Sequence, residues 1–271
     1  MENWKGKVAI VTGASAGIGA AISLALVKGG MKVVGFARRS ERVQQLSTEL
    51  ADQPGKLWAF KADLTKEQDI LDGKLWAFKA DLTKEQDILD GIKWTTENVG
   101  PVSVLINNAG IIQKTTLHDG DTQMWKNVLD TNIMAVAIAS REAIRIMNEN
   151  NIDGYIININ SVAGHVVIDM PILNIYSASK FALTSMTETL RFELARLKSN
   201  IRVTSLSPGG VNTEIALTNN LMTAEEMKQF EGLARPMLES EDVANAVLYL
   251  LSTPLRVQVT ELTIRPIREV N

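Results

Sequence analysis

The sequence predicts an α/β protein: one doubly wound domain with a central parallel sheet and helices on both faces. Short apolar runs rich in β-branched residues alternate with helical patterns from end to end of the chain. Strands that are apolar on both faces are typical of parallel sheets buried between helices. No stretch rich in proline or serine interrupts the alternation, so we expect a single domain over residues 1–271.

The elements follow one another in the order that such a domain requires. Residues 20–28 form a predicted helix that Gly29 and Gly30 should end, and Ser40 is placed to cap the next helix. The predicted strands lie at 8–11, 32–36, 102–106, 154–159 and 201–206. Strand and helix alternation of this kind is that of a doubly wound sheet, whose ligands bind at the carboxyl ends of the strands.

One internal repeat interrupts the pattern. Residues 55–72, GKLWAFKADLTKEQDILD, recur without a change at residues 73–90. One 18-residue copy should supply the third strand and the helix after it, and the other should form an insertion. A capping pattern at residues 83–86 that runs into a helix near Glu97 favours the second copy. The short loop that would follow the second helix favours the first.

Composition excludes several classes of function. The net charge is −3, which offers no attraction to nucleic acid or to an anionic membrane. The chain has no cysteine, so disulfides and thiolate chemistry are excluded, and His118 and His165 are not spaced as metal ligands. No metal is expected. No apolar run approaches the roughly 20 residues that span a bilayer, and the first residues are polar, so a cytoplasmic location is expected.

A glycine-rich turn predicts a dinucleotide site. Residues 12–19, TGASAGIG, lie between the first strand and the first helix. Gly13 permits a sharp turn, while Gly17 and Gly19 let a pyrophosphate approach the backbone at the helix N-terminus. This is the arrangement of a Rossmann domain. The second strand ends at Arg38 and Arg39 instead of the acidic residue that suits NAD, so a 2′-phosphate and hence NADP are predicted.

Several polar motifs follow later strands. Tyr176 and Lys180 are four residues apart and so share a helix face, and Ser161 lies just after a strand. Together with TGASAGIG at 12–19, NNAG at 107–110, Asn132, YSASK at 176–180 and PGGVNT at 208–213, they resemble the short-chain dehydrogenase/reductase family. The resemblance covers the whole chain except one copy of the repeat.

The resemblance implies four catalytic residues. Tyr176 would be the base in alcohol oxidation and the acid in carbonyl reduction. Lys180, with the nicotinamide ring, would lower the pKa of that phenol by about three units, and it would also bind the nicotinamide ribose. Ser161 would hold the substrate oxygen. Asn132 would position a water that relays protons to Lys180.

The same resemblance, with the glycine turn, implies a set of cofactor contacts. Asp81, or Asp63 in the other copy, would meet the adenine. Val211 and Thr213 would face the nicotinamide amide and the phosphate. The full set is Gly13, Ser15, Gly17, Ile18, Gly19, Arg38, Arg39, Asp81, Leu82, Asn108, Ala109, Gly110, Tyr176, Lys180, Pro208, Gly209, Val211 and Thr213.

Two apolar segments indicate a lipophilic substrate. Residues 166–175 should line the pocket, and the methionine-containing residues 214–237 should cover it. Within the family, the chain resembles NADP-dependent farnesol dehydrogenases of insects and also carbonyl and steroid reductases. A farnesol-like isoprenoid is therefore the expected substrate. A 3-oxoacyl-thioester reductase and an NADP-binding regulatory protein without turnover remain alternatives. Family members are commonly dimers or tetramers, so a homodimer or homotetramer is expected.

Overall fold

The computed structural model describes residues 1–59, 81–170, 173–215, 219, 221 and 237–269. Within them, seven parallel strands form one sheet in the order β3-β2-β1-β4-β5-β6-β7. The strands are β1 Val8–Thr12, β2 Lys32–Phe36, β3 Lys56–Ala59, β4 Val102–Asn107, β5 Tyr155–Ile159, β6 Arg202–Pro208 and β7 Glu261–Ile264. The predicted doubly wound α/β fold is therefore confirmed.

Helices cover both faces of this sheet. The α-helices are α1 Gly17–Lys28, α2 Ser40–Glu49, α3 Glu85–Asn98, α4 Thr122–Leu129, α5 Ala135–Glu149, α6 Asn174–Arg196 and α7 Ser240–Ser252. A π-helical segment, Asp130–Met134, joins α4 to α5. Short 3-10 helices lie at Glu2–Trp4 and Val162–Gly164. None of the helices in the described part of the chain is both long and apolar enough to span a bilayer.

The core has two layers because strand side chains alternate between the two faces of the sheet. Ala9 and Val11 pack with α1 and α7, whereas Ile10, between them, packs with α3, α5 and α6. The N-terminus is fixed to the first layer by Trp4, whose indole Nε1 donates to the Leu251 carbonyl at 2.8 Å. The strands that carry the site are thus held rigidly from both sides.

The chain reverses its direction of travel across the sheet beside β1. It moves outward from β1 through β2 to β3, and then returns to place β4 on the other side of β1. The connections that leave the carboxyl ends of β1 and β4 therefore diverge, and a crevice opens between them. The glycine turn and the NNAG motif lie at these two strand ends.

The repeat is divided between two elements. β3 comes from the first copy and pairs with β2 through Lys32 and Lys56, whereas α3 comes from the second copy. The prediction that one copy supplies both the strand and the helix is wrong, because sheet pairing selects the strand that follows α2 closely, and helix packing selects the copy adjacent to β4. The predicted adenine contact Asp63 and the rest of residues 60–80 lie outside the described residues.

Two predicted helix caps are also wrong. Ser40 is the first residue of α2, and Arg39 occupies the cap position, where its side chain makes no capping hydrogen bond to the described backbone. Lys84, not Thr83, precedes α3. Thr83 instead donates from its backbone N–H and its hydroxyl to the Asp81 carboxylate, at 3.2 and 2.7 Å. A tight local turn therefore takes up the hydroxyl that the sequence pattern assigned to the helix.

Candidate active site

A cleft of about 570 Å³ opens at the carboxyl ends of the strands. Its wall joins the two halves of the predicted site: the glycine turn lies at one end, and Ser161, Tyr176 and Lys180 lie at the other. The predicted residues on the wall are Gly13, Ser15, Gly17, Ile18, Gly19, Arg38, Arg39, Asp81, Leu82, Asn108, Ala109, Gly110, Ser161, Tyr176, Lys180, Pro208, Gly209, Val211 and Thr213. Folding thus brings together residues that are up to two hundred positions apart.

The glycine turn is fastened to the chain after β4. Gly13 has φ +71°, a conformation that residues with a side chain rarely adopt. Asn108 donates from its side chain to the Thr12 carbonyl at 2.8 Å, and the backbone N–H groups of Asn108 and Ala109 both donate to the Thr12 hydroxyl at 3.0 Å. At Gly19, a Cβ would collide with the Gly13 carbonyl. The backbone at this end is therefore fixed and closely packed.

The N-terminus of α1 opens onto the cleft. Ala16 precedes the helix and has no side-chain group able to cap it, so within the described structure the N–H groups of the first turn are left to other partners. Residues 16–19 line the cleft wall, and the side chain of Thr213, which also lines the cleft, lies next to Gly17. Unpaired N–H groups and the positive end of the helix dipole favour a bound anion such as a pyrophosphate.

The end of β2 gives the cleft a charged rim. Arg38 is exposed and Arg39 is partly buried, and both line the wall. Glu214, from the segment after β6, reaches across to this rim. Its Oε2 atom accepts from Arg42 at 2.8 Å and from Arg39 at 3.5 Å. The hydrogen bond from Arg42 holds the pKa of the Glu214 carboxyl below its usual value.

Asp81, from the second copy of the repeat, completes this rim. Burial raises the pKa of its carboxyl, but hydrogen bonds from Thr83 and the charges of Lys84 and Arg38 outweigh that effect, so the pKa is lowered. The carboxylate is therefore charged at neutral pH. Of the two aspartates that the sequence left open, Asp81 lies at the cleft.

Tyr176, Lys180 and Ser161 form a cluster at the other end. Lys180 is buried, and its Nζ donates to the Ile159 carbonyl at 2.9 Å. The same Nζ lies 5.6 Å from the centroid of the Tyr176 ring. Ser161 accepts from the backbone N–H of Ala163 at 3.1 Å and is hydrogen-bonded to the Tyr176 hydroxyl. Helix α6 and the turn after β5 thus present a phenol, an ammonium and a hydroxyl together.

Burial shifts the pKa values of this cluster toward the neutral forms. It raises the pKa of the Tyr176 phenol to about 12, against a smaller opposing effect of the hydrogen bond with Ser161. It lowers the pKa of Lys180 to about 8. The lowered phenol pKa that the sequence led us to expect is therefore not a property of the chain alone. A further positive charge beside the phenol is needed to produce it.

Asn132 lies behind the cleft wall. It is part of the π-helical segment and is 1% exposed. Its side chain accepts from the Ile111 N–H at 2.9 Å and donates to the Ile111 carbonyl and to Ser179, both at 3.0 Å. Ser179 immediately precedes Lys180, and its hydroxyl donates to the Tyr176 carbonyl at 2.6 Å. Asn132 therefore connects the chain after NNAG to the helix that carries the Tyr-Lys pair.

Sequence reasoning missed Glu269. Its Oε1 atom accepts from the Gly210 N–H at 2.7 Å, and its carboxylate fills the space that a Cβ on Gly209 would need. Arg265 holds the same carboxylate from the side, at 3.4 Å. The C-terminal segment thus supports Gly209, which lines the cleft wall, and its neighbour Gly210. Glu269 lies about sixty positions from that pair, and no local sequence signal connects them.

Within the part of the chain that the structure describes, neither histidine belongs to a cluster of potential metal ligands. Among the described residues, no group of three or more potential ligands lies together. His165 instead has Nε2 3.0 Å from the Ser207 hydroxyl and 3.3 Å from a Glu261 carboxylate oxygen. Of residues 214–237, which were predicted to cover the cleft, only 214, 215, 219, 221 and 237 lie within the described residues. Of residues 166–175, which were predicted to line the pocket, all but 171 and 172 are described. None of the described ones in 166–175 is among the residues that line the cleft, so this prediction is not confirmed.

Comparison with known proteins agrees with this geometry. A family model described as short chain dehydrogenase matches residues 7–73 and again residues 68–224, so the match restarts within the repeat. Farnesol dehydrogenase of Aedes aegypti is 47% identical over 271 residues, covering 99% of each chain. Dehydrogenase/reductase SDR family member 11 of Gallus gallus is 43% identical, covering 100% of each. The closed form of serine dehydrogenase complexed with NADP+ superposes with a TM-score of 0.81 at 26% identity, covering 97% of this chain and 96% of that one.

Proposed function

This chain belongs to the short-chain dehydrogenase family, and from that premise we propose that it transfers a hydride between NADP(H) and a lipophilic alcohol or carbonyl compound such as farnesol or a related isoprenoid. Membership makes it an oxidoreductase that uses a nicotinamide dinucleotide. The observation that carries the proposal is that Ser161, Tyr176 and Lys180 share one cleft with the glycine turn.

The cleft residues fit a dinucleotide. The close backbone approach at Gly19 and the N–H groups of the first turn of α1 suit a pyrophosphate. We assign cofactor contacts to the glycine turn and to Arg38, Arg39, Asp81, Leu82, Asn108, Ala109, Gly110, Tyr176, Lys180, Pro208, Gly209, Val211 and Thr213. The chemistry that the bound cofactor supplies is exchange of a hydride with the substrate carbon.

The chain's own residues handle the proton. In alcohol oxidation, the hydroxyl of Ser161 hydrogen-bonds the substrate oxygen, and the phenolate oxygen of Tyr176 takes the proton of the alcohol hydroxyl. In the reverse direction, the neutral phenol returns that proton to the carbonyl oxygen. Lys180 stabilises the phenolate by its charge, and its position on the cleft wall lets it also bind the nicotinamide ribose. We assign the proton relay behind Lys180 to Asn132.

The preference for NADP over NAD rests on Arg38 and Arg39. Guanidinium groups bind phosphate oxygens through charge-assisted hydrogen bonds, and these two line the cleft where β2 ends. The relatives agree in part, since serine dehydrogenase has been solved with NADP+. Arg38→Asp should shift the ratio of kcat/KM values from NADP toward NAD. An unchanged ratio would contradict the assignment of this residue.

The substrate assignment rests on the farnesol dehydrogenase relative and on the apolar composition of residues 166–175 in the sequence. The test is an assay of the purified chain by NADPH absorbance against farnesol, a hydroxysteroid, a ketosteroid and a 3-oxoacyl thioester. Turnover of farnesol with the highest kcat/KM supports the proposal. Preference for the thioester or the steroid would replace the substrate class. Cofactor binding without any turnover would favour a regulatory protein.

The organisation of the chain is part of the same proposal. We propose one catalytic domain over residues 1–271, in which the repeat adds an insertion equal in length to one 18-residue copy. We also propose that it works in the cytoplasm as a homodimer or homotetramer. Light scattering of the purified chain and microscopy of the tagged protein in its own cells test these two points.

A further inference from the structure

Glu214 forms ion pairs with Arg39, one of the two arginines that we assign to the 2′-phosphate, and with its neighbour Arg42. One oxygen of its carboxylate, Oε2, lies 2.8 Å from Arg42 Nη1 and 3.5 Å from Arg39 Nη1. Arg39 and Glu214 both line the cleft, whereas Arg42 lies one turn further along α2. The three side chains are between a third and a half exposed, so a ligand from solvent can reach them.

From this arrangement we infer that Glu214 is a specificity-determining residue that competes with the 2′-phosphate of NADP for Arg39 and Arg42. A carboxylate and a phosphate both accept hydrogen bonds from guanidinium groups in similar geometry. They cannot use the same Nη1–H donors fully at once, and two anions near each other repel. Binding a 2′-phosphate here therefore requires Glu214 to give up part of its contact with the arginines.

The competition sets how strongly the site discriminates between the two cofactors. Without a 2′-phosphate, Glu214 offsets one of the two positive charges of Arg39 and Arg42, so the rim holds an anion less strongly than free arginines would. When a 2′-phosphate binds, the free energy gained from its contacts with the arginines is reduced by the loss of the ion pairs that Glu214 made with them. We therefore expect the rim to give a moderate preference for NADP over NAD and not the strongest preference that these arginines could give.

This inference rests on the proposed use of NADP, so the experiment must separate the two. Adenosine 2′,5′-bisphosphate and adenosine 5′-monophosphate differ only in the 2′-phosphate. Titration calorimetry with the full chain gives a dissociation constant for each. Their ratio in the unmodified protein measures the preference for the 2′-phosphate, and the change of that ratio in a variant measures the role of Glu214.

Glu214→Gln should bind adenosine 2′,5′-bisphosphate about three- to tenfold more tightly, as expected for the loss of two competing exposed ion pairs. Its affinity for adenosine 5′-monophosphate should not change. Glu41→Gln is the matched control, because it removes one negative charge from an exposed position in the first turn of α2. In the background Arg39→Gln with Arg42→Gln, the effect of Glu214→Gln should disappear.

Weaker or unchanged binding of the bisphosphate by Glu214→Gln would overturn the inference, since it would mean that Glu214 orients the arginines or does not affect them. The same tightening in Glu41→Gln would also overturn it, because a general charge effect would then be sufficient. Equal affinity for the two ligands in both the unmodified protein and Glu214→Gln would overturn the NADP preference together with the inference. A clear preference that Glu214→Gln leaves unaltered would overturn the inference alone.

Discussion

The ammonium of Lys180 lies 5.6 Å from the centroid of the Tyr176 ring. The two residues are one helical turn apart on α6, and the ammonium is fixed by its hydrogen bond to the Ile159 carbonyl. With a pKa of about 12 the phenol is neutral near pH 7, while Lys180, with a pKa of about 8, is largely charged. The pair alone is therefore poised to donate a proton, and it accepts one only when added positive charge stabilises the phenolate.

Tyr176→Phe tests the proton transfer directly. The substitution removes the hydroxyl that exchanges the proton and keeps the ring, so turnover should fall by about 10²–10⁴-fold while NADP binding is retained. Steady-state kinetics and cofactor titration check the two parts. Tyr249→Phe, on α7 and 55% exposed, is the matched control and should leave both values unchanged. Turnover within a few-fold of the unmodified protein would show that another group carries the proton.

The pH dependence should have opposite signs in the two directions. Oxidation uses the phenolate, so its kcat/KM should rise with pH, whereas reduction uses the neutral phenol, whose kcat/KM should fall as pH rises. Lys180→Met removes a positive charge that favours the phenolate, so the rising limb of oxidation should move to higher pH. Because the pKa of Lys180 is about 8, its charge is present mainly below that pH. The difference in kcat/KM for oxidation between Lys180→Met and the unmodified protein should therefore be largest below pH 8.

Profiles of kcat/KM between pH 6 and 10 measure this shift. Lys93→Met, an exposed lysine on α3, is the control for loss of one positive charge and should leave the limb in place. If the limb stays in place in Lys180→Met as well, then the ammonium does not act on the phenol and its role is limited to binding.

Asn132→Ala should affect stability as well as turnover. It leaves the N–H and C=O groups of Ile111 without their side-chain partner, which should lower the free energy of unfolding by about 1–3 kcal/mol. Urea denaturation measures this change. Asn127→Ala, on the preceding helix α4, loses only the contact of its side chain with Gln123 and should cost less. Full stability combined with lost turnover would contradict the connecting role and favour a purely chemical one.

Deleting one copy of the repeat should preserve the fold. Because the copies are identical, removing 18 consecutive residues anywhere in the repeat gives the same chain of 253 residues. β3 and Asp81 would then be joined by three residues instead of 21. For a flexible connection, this reduces the closure cost by about 1–2 kcal/mol. Thermal unfolding should therefore show equal or higher stability, with NADP turnover retained. A shortened chain that fails to fold would show that the inserted residues are structural.

Much of the fold followed from local pattern. The strands at β1, β2, β4, β5 and β6 were predicted within one or two residues, since each is a short segment rich in apolar or β-branched residues. The helix caps failed, because a hydroxyl near a helix start can also bond locally, as Thr83 does with Asp81. The copy that forms β3 could not be chosen either: two identical segments have identical propensities, and only pairing with β2 distinguishes them.

By itself, the sequence determined the order of strands and helices, the glycine turn, and the types of side chain at the strand ends, because these depend on short-range periodicity and on the chemistry of single residues. Only the tertiary structure decided which distant groups meet: Glu214 with Arg39 and Arg42, Glu269 with Gly210, and Asn132 with Ser179. The physical reason is that these contacts arise where separate elements converge at one edge of the sheet. Their energies depend on distance and burial, which no local pattern of residues encodes.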